Sequence, residues 1–357
     1  MRIVFVHNNF GIFMNKKSGK TTIYDVAKAA GVSTSTVSKV FNYPESAGIT
    51  VATRDRILAV ARELDYPKLN RTPNPERDLK RVAVIVPSLM NPYYASMISG
   101  IEQALRETDM LMTLYCSHNN PRLEIQSANQ IKNTRAAGVI ISSICQKTSH
   151  IRQLMESGIS VVASEQQVDL PCSKVYFNYE KGGYMAAEHL IKSGRSRIAF
   201  VSSPLTRPSR RQVLDGYKKA LADNGLYAGP ELLRVARDEV AGPNELYEFQ
   251  NGILQMNQLL RDKVPVDAVF CINDITAIGV IHAIEKQGLS IPEQIAVVGF
   301  DNIIYSEMLN PTLTTIEQSA HELGSLAADL LIRNIKDSSR ESVSLTLEPK
   351  LIIRSSG

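Results

Sequence analysis

Residues 21–42 read TTIYDVAKAAGVSTSTVSKVFN, and Ser18-Gly19-Lys20 stands just before them. An apolar run, a loop and "GKT" resemble the start of a phosphate-binding loop. That motif needs G-x-x-x-x-G-K-[ST], because its glycines let successive backbone N–H groups curl around the phosphates. Gly19-Lys20-Thr21 supplies the end, but the first glycine position holds Met14, and Gly11 lies three residues too early. The nucleotide reading is rejected on that ground.

Two short helices fit the stretch better. Thr22 stands before a helical pattern with Asp25 three residues on, a capping residue followed by a first-turn carboxylate. Ile23, Val26, Ala27 and Ala30 recur at helical spacing, and Gly31 can take the left-handed conformation that stops a helix. Ser33 caps a second helix from Thr34 to about Asn42, with Val37, Val40 and Phe41 on one face. The tight glycine turn between them makes a helix-turn-helix. A third helix, capped by Thr50, runs through Ile57, Leu58, Ala61 and Leu64 to Tyr66. Three such faces close a small core. On the outer face of the second helix, Thr34, Ser35, Ser38 and Lys39 offer hydroxyls and an ammonium, which suit base edges and phosphates in a major groove.

Charge points the same way. Residues 1–81 hold 14 Lys+Arg against 7 Asp+Glu, whereas the remainder holds 26 against 29. A basic front on a slightly acidic body suits a polyanionic partner. The start does not read as a signal peptide, since His7-Asn8-Asn9 interrupts a short apolar run. Met14 is a candidate natural start, which would leave residues 1–13 outside the native chain. No apolar run approaches the roughly 20 residues that span a bilayer. The four cysteines form no CxxC pair, so reduced thiols and a cytoplasmic location are expected.

The segment "TTIYDVAKAAGVSTSTVSKVFN…ITVATRDRILAVARELDY" resembles the DNA-binding headpiece of the lactose-repressor (LacI) family. The resemblance implies base-reading roles for Thr34, Ser35 and Lys39. It implies that Ile23, Tyr24, Ser38, Asn42, Thr50, Thr53 and Tyr66 touch the DNA backbone or position the domain. Lys39 stands where the family usually has arginine, and lysine cannot grip guanine with a bidentate fork. The family then forms a hinge helix whose leucine wedges into the minor groove. Here the linker is "YPKLNRTPNPERDLKR", where Pro73 and Pro75 interrupt such a helix. The hinge helix is expected to be shortened or absent; Leu69 and Leu79 are candidate wedges outside the family spacing.

From Val82 the chain alternates apolar runs with helical patterns. The runs lie at 82–88, 112–117, 138–143, 160–164, 175–178, 197–203, 267–273 and 295–301. Repeated strand–helix units build parallel sheets covered by helices on both faces. So many strands exceed one comfortable sheet, which predicts two similar lobes with a ligand at facing strand C-termini. Several runs end in polar or aromatic groups: Tyr93 and Tyr94, Glu165 and Gln166, Asn273 and Asp274, and Asp301 and Asn302. Carboxylates and amides of this kind take hydroxyls while rings cover a C–H face, as a polyhydroxylated ligand requires. Asp274 also reads simply as a helix cap, and Tyr93 as core.

"VAVIVPSLMNPYYASMISGIEQAL" and "INDITAIGVIHAIEKQGLSIPEQIAVVGFDN" extend the resemblance to the family's effector core, similar also to periplasmic sugar-binding proteins. It implies effector roles for Tyr93 or Tyr94, Asn273 and Asp301. The family commonly has Asp-Arg where Glu165-Gln166 stands, Asp at Asn178, and a clamping Arg at Val213. Arg210 or Arg211, within one turn, is the expected substitute, with Arg211 taken as the effector residue. A sugar effector follows from the resemblance; a nucleobase, an acidic metabolite or a protein corepressor stay open.

No HExxH, paired histidine spacing or GxSxG is present, so no catalytic residue, metal or cofactor is expected. The expected organisation is an arm over 1–21, an all-α helix-turn-helix headpiece over 22–66, a linker over 67–81, and a two-lobed periplasmic-binding-protein-like α/β core over 82–357. The end "LEPKLIIRSSG" has no leucine heptads, so a homodimer on a pseudo-palindromic double-stranded operator is expected.

Overall fold

The apolar spacing of the first helices is realised as three short helices around one core. The computed structural model describes residues 21–42, 48–66, 80–134, 136–166, 168–237, 246–337 and 341–357. Residues 1–20 of the arm, the linker prolines, Leu69 and Leu79 therefore lie outside the described residues. The chain divides into two units, Met1–Asp78 and Leu79–Gly357.

In the first unit, α1 spans Ile23–Ala30, α2 Thr34–Asn42 and α3 Val51–Glu63. The Asp25 carboxylate accepts hydrogen bonds from the backbone N–H (2.7 Å) and the hydroxyl (2.6 Å) of Thr22, and these bonds hold its pKa below the usual range. Gly31, at φ 62°, ends α1. α3 stops at Glu63, short of the expected Tyr66: Asp65 turns the chain at φ 46°, and the Tyr66 N–H bonds back to the Ala61 carbonyl. Val26, Ala27, Ala30, Val37, Val40, Ile57, Ala61 and Tyr66 fill the core.

The second unit has the two expected lobes. Lobe 1 contains β1 (Lys80–Val86), α4 (Pro92–Leu105), β2 (Met110–Cys116), α5 (Pro121–Lys132), β3 (Ala136–Ile141), α6 (Ser149–Glu156), β4 (Ser160–Glu165) and β5 (Ser173–Phe177). Lobe 2 contains α7 (Tyr179–Lys192), β6 (Ile198–Ser202), α8 (Pro208–Asp223), β7 (Leu233–Val235), α9 (Tyr247–Arg261), β8 (Ala268–Cys271), α10 (Asp274–Lys286), β9 (Ala296–Asp301) and β10 (Thr314–Glu317). The chain then returns to lobe 1 for α11 (Ala320–Lys336) and β11 (Ser344–Leu347), and to lobe 2 for β12 (Lys350–Ile352). The sheet orders are β11-β5-β4-β3-β1-β2 and β12-β10-β9-β8-β6-β7. The first is wholly parallel; in the second only β12 runs antiparallel, against β10.

Successive residues of a strand face opposite layers, and both sheets use this. Val82, Val84 and Val86 of β1 pack toward α4 and α11, while Ala83 and Ile85 pack toward α5 and α6. In lobe 2, Ile198 and Phe200 of β6 face α7 and α8, and Ala199 and Val201 face α9 and α10. The chain passes between lobes three times. Two of these passages are tied together: Asn178 N–H bonds to Leu347 O (3.1 Å), and Lys181 Nζ meets Glu348 Oε2 (2.7 Å).

Three helix pairs cross on reciprocal glycines. Gly100 of α4 rests on the His321 carbonyl and Gly324 of α11 on the Met97 carbonyl. Gly183 and Gly216 do the same for α7 and α8, and Gly252 and Gly279 for α9 and α10. A Cβ at any of the six would collide with backbone, not with a flexible side-chain tip. Gly216→Ala should therefore destabilise the second unit by about 3 kcal/mol or more, at the upper end for overpacking. Urea unfolding followed by circular dichroism measures it; a loss under about 1 kcal/mol would show that α8 slides freely.

Candidate functional site

The headpiece offers one candidate surface. Ser33 caps α2 by accepting from the Thr36 N–H at 3.1 Å, and its hydroxyl also meets those of Ser35 (2.7 Å) and Thr36 (2.8 Å). This places a cluster of hydroxyls at the N-terminus of α2. Ser35 and Lys39 are exposed, and Thr34 and Ser38 half-buried. Tyr24 is 72% exposed, while Ile23 is half-buried against the core. Thr50 accepts from the Thr53 N–H (3.3 Å) and so caps α3. The Tyr66 ring is buried and packs on Phe41 with centroids 5.5 Å apart, so it positions the helices and presents no surface. The side chain of Asn42 lies outside the described residues.

The second candidate is a cavity of about 470 Å³ in the second unit. The carboxyl ends of the parallel strands build it, as in other open α/β sheets. Asn91 follows β1, Asn119 follows β2, Glu165 ends β4, and Arg207 follows β6. Asn273 follows β8, Asp301 ends β9, and Gln318 follows β10. Tyr93, Tyr94, Tyr179, Phe249, Ile272 and Phe300 supply apolar wall. Three wall residues hold a positive φ without being glycine: Asn119 (55°), Glu165 (69°) and Asp301 (118°). Such conformations cost energy and concentrate at ligand sites.

Each polar group has a defined posture. Tyr94 OH donates to Glu165 Oε1 at 3.2 Å, and Glu165 Oε2 is buried with no hydrogen-bond partner. Burial raises the Glu165 pKa, and the nearby Arg207 guanidinium opposes that shift. Asp301 accepts from Gln318 Nε2. Burial, then the negative charges of Asp274 and Glu165, hold its pKa well above the ordinary carboxylate range. Arg207 donates to Asn119 Oδ1 and to Tyr94 OH (3.4 Å). Arg210 pairs with Glu248 Oε1 at 3.0 Å.

Of the seven residues expected to hold an effector, Tyr93, Tyr94, Glu165, Asn273 and Asp301 line the cavity. Gln166 lies behind the wall, bonded to Ser209 Oγ at 2.8 Å. Arg211 is corrected: it is exposed and donates to the carbonyls of Leu205 (2.6 Å) and Thr206 (3.0 Å). Arg207, Arg210 and Val213 occupy the inner face instead. Asn119, Tyr179, Arg207, Glu248 and Gln318 also line the cavity, and the sequence alone does not mark them. The reading of Asp274 as a simple cap is also corrected. Asn273 caps α10, accepting from Thr276 N–H at 2.8 Å. Asp274 is fully buried and bonds the Ile303 N–H, the Ser306 hydroxyl and the Thr315 hydroxyl at 2.6–2.9 Å. Its burial outweighs these donors and raises its pKa to about 6.

Comparison with known proteins places both units. Residues 22–68 match the model described as bacterial regulatory proteins, lacI family, and residues 80–354 that of periplasmic binding proteins and sugar binding domain of LacI family. The chain is 31% identical over 345 residues to the transcriptional repressor PurR of Histophilus somni (strain 129Pt), covering 94% of this chain and 98% of that one. It is 29% identical to the ribose operon repressor of Haemophilus influenzae, with the same coverage. Among solved structures, the transcriptional regulator CelR in complex with cellobiose superposes with a TM-score of 0.70 at 27% identity, covering 94% of this chain and 100% of that one. A regulator from Enterococcus faecium with bound ribose gives 0.68 at 26% identity, covering 78% and 98%. Among the described residues no helix is long and apolar enough to cross a membrane.

Proposed function

Because this chain belongs to the LacI family of bacterial regulatory proteins, and is thus a DNA-binding transcription regulator with an effector core, we propose that it is a sugar-responsive repressor. It acts in the cytoplasm as a homodimer and catalyses no reaction. Two headpieces read the half-sites of a pseudo-palindrome, with Ser35 and Lys39 of α2 facing the bases and Tyr24 and Thr53 the phosphates. The effector is a neutral sugar or sugar derivative.

The carrying observation is the set of strand ends converging on one aromatic-walled cavity. Its charges also favour a neutral ligand: Arg210 pairs with Glu248 and Arg207 lies beside Glu165, so both guanidiniums of the wall already face a carboxylate. Glu165 stands at the wall with Oε2 unpartnered, so it has an acceptor to spare for a ligand hydroxyl. Support for the dimer comes from β2, an outer strand of its sheet that exposes Leu111 and Leu114. Effector binding favours one lobe arrangement over another, and that preference is linked to operator affinity.

The test selects binding sites from random duplexes, then screens a sugar panel for compounds that move the gel shift. A two-fold symmetric site and a responsive sugar are expected; failure to retain any duplex at low salt would refute the reading. Affinity falls steeply with salt, as phosphate-dominated binding requires. Lys39→Ala should weaken binding to the preferred site about 5- to 150-fold, the range for losing one base-reading contact, and relax preference at one base pair. An unchanged selected-site profile removes Lys39 from that role.

A further inference from the structure

Outside the cavity, lobe 1 holds a second cluster of reactive side chains. Glu124 lies in the first turn of α5, Cys145 in the loop after β3, and His150 in the first turn of α6. One ligand atom from each lies within 4.8 Å of the others. Glu124 is fully buried, His150 is 3% exposed, and Cys145 is half-exposed. None of the three lines the effector cavity.

Glu124 Oε1 lies 2.7 Å from His150 Nε2 and accepts from the Ser143 hydroxyl. Its Oε2 accepts from the Ile144 N–H at 2.8 Å. These donors fix the carboxylate, as outer partners do for a metal ligand. Among the described residues its ion-pair partner is His150 alone. A buried carboxylate without a full cation is costly. The other ring nitrogen, His150 Nδ1, is buried with no hydrogen bond. The cluster therefore holds an under-compensated carboxylate and an imidazole with an idle lone pair, beside a thiol that solvent can reach.

We propose that Glu124, Cys145 and His150 bind one divalent transition-metal cation of zinc's class. One oxygen, one nitrogen and one sulfur ligand suit a borderline-soft ion over magnesium or calcium, which take oxygen sets. On binding, the Cys145 thiol releases its proton to solvent and forms the metal–sulfur bond. Carboxylate and thiolate together then balance the two positive charges. Ligation through Nε2 uses the other tautomer of His150: the ring proton moves from Nε2 to the open Nδ1, and two metal bonds replace the Glu124–His150 hydrogen bond, the nitrogen and oxygen then lying about 3.3 Å apart for a tetrahedral ion at about 2.0–2.1 Å. Water completes the shell on the exposed side of Cys145. The three residues follow no standard metal-binding spacing, because three separate segments bring them together.

The test uses the full chain, stripped with a chelator and titrated with Co²⁺, then Zn²⁺. One Co²⁺ per chain with a near-ultraviolet thiolate charge-transfer band, displaced by Zn²⁺, is expected. Cys145→Ser leaves the Ser143, Ile144 and His150 bonds to Glu124 in place, so it separates ligation from folding. It should abolish the band and weaken Zn²⁺ binding about tenfold or more, whereas Cys116→Ser changes neither. The proposal is overturned if the wild-type chain takes up no stoichiometric metal, or if Cys145→Ser keeps the band and the affinity.

Discussion

Replacing Asp301 with alanine should raise the effector concentration for half-maximal response at least about a hundredfold, while effector-free operator affinity stays within about twofold. Asp301 ends β9 at the cavity wall, where Gln318 aims its carboxylate. A carboxylate in that posture can take two ligand hydroxyls. Hydrogen bonds to a charged group contribute about 1.5–3 kcal/mol each, and two at the low end of that range already give about a hundredfold change. The pKa of Asp301 is raised, so the group stays protonated to higher pH than an ordinary carboxylate. If hydroxyls bind the ionised form, affinity rises with pH through that elevated range, and Asp301→Asn loses the dependence. Titration calorimetry across pH, with the responsive sugar, measures both effects. A normal response in Asp301→Ala would remove this residue from the site.

Ile57→Asp should unfold the headpiece and lower operator affinity more than about a hundredfold. Ile57 is fully buried at the centre of eight core residues. The substitution loses about 3 kcal/mol of apolar burial and adds several more for an unpaired carboxylate. A core of this size supplies only about 3–5 kcal/mol, so the folded headpiece becomes a minor species. DNA can refold it only by giving up binding free energy. The second unit has cores of its own and should keep its unfolding transition and its sugar affinity. Loss of headpiece amide dispersion in NMR, beside an unchanged transition of the larger unit, is the expected pair of results. A well-dispersed headpiece in this variant would contradict the burial.

The sequence made the first helices legible almost residue by residue, because Thr22, Gly31, Ser33 and Thr50 punctuate them chemically. All eight apolar runs became strands. Four short strands, β7, β10, β11 and β12, were not among those runs. Three of them show no fully buried side chain, and β10 is only four residues long, so none carries a long apolar signal. The cavity was legible where a strand ends in a polar residue, as at Glu165, Asn273 and Asp301. It was not legible where helix phase decides. Arg210 and Val213, three residues apart, share the inner face of α8, and Arg211, one position on, turns outward. Asn119 and Gln318 reach the cavity through loop geometry that no local pattern encodes.

The passages between lobes have a consequence for biosynthesis. Val82 and Val84 near the start of lobe 1 share a core with Leu323, Ala327, Ala328 and Leu331 of α11. The last strands, β11 and β12, edge different sheets. A growing polypeptide therefore leaves the ribosome with lobe 1 lacking a covering helix until some 250 residues after β1 have been made. Nascent chains should lean on chaperones during that interval, and a stop codon only about eight codons early would strip β12 from the edge of lobe 2 while leaving β11 on lobe 1.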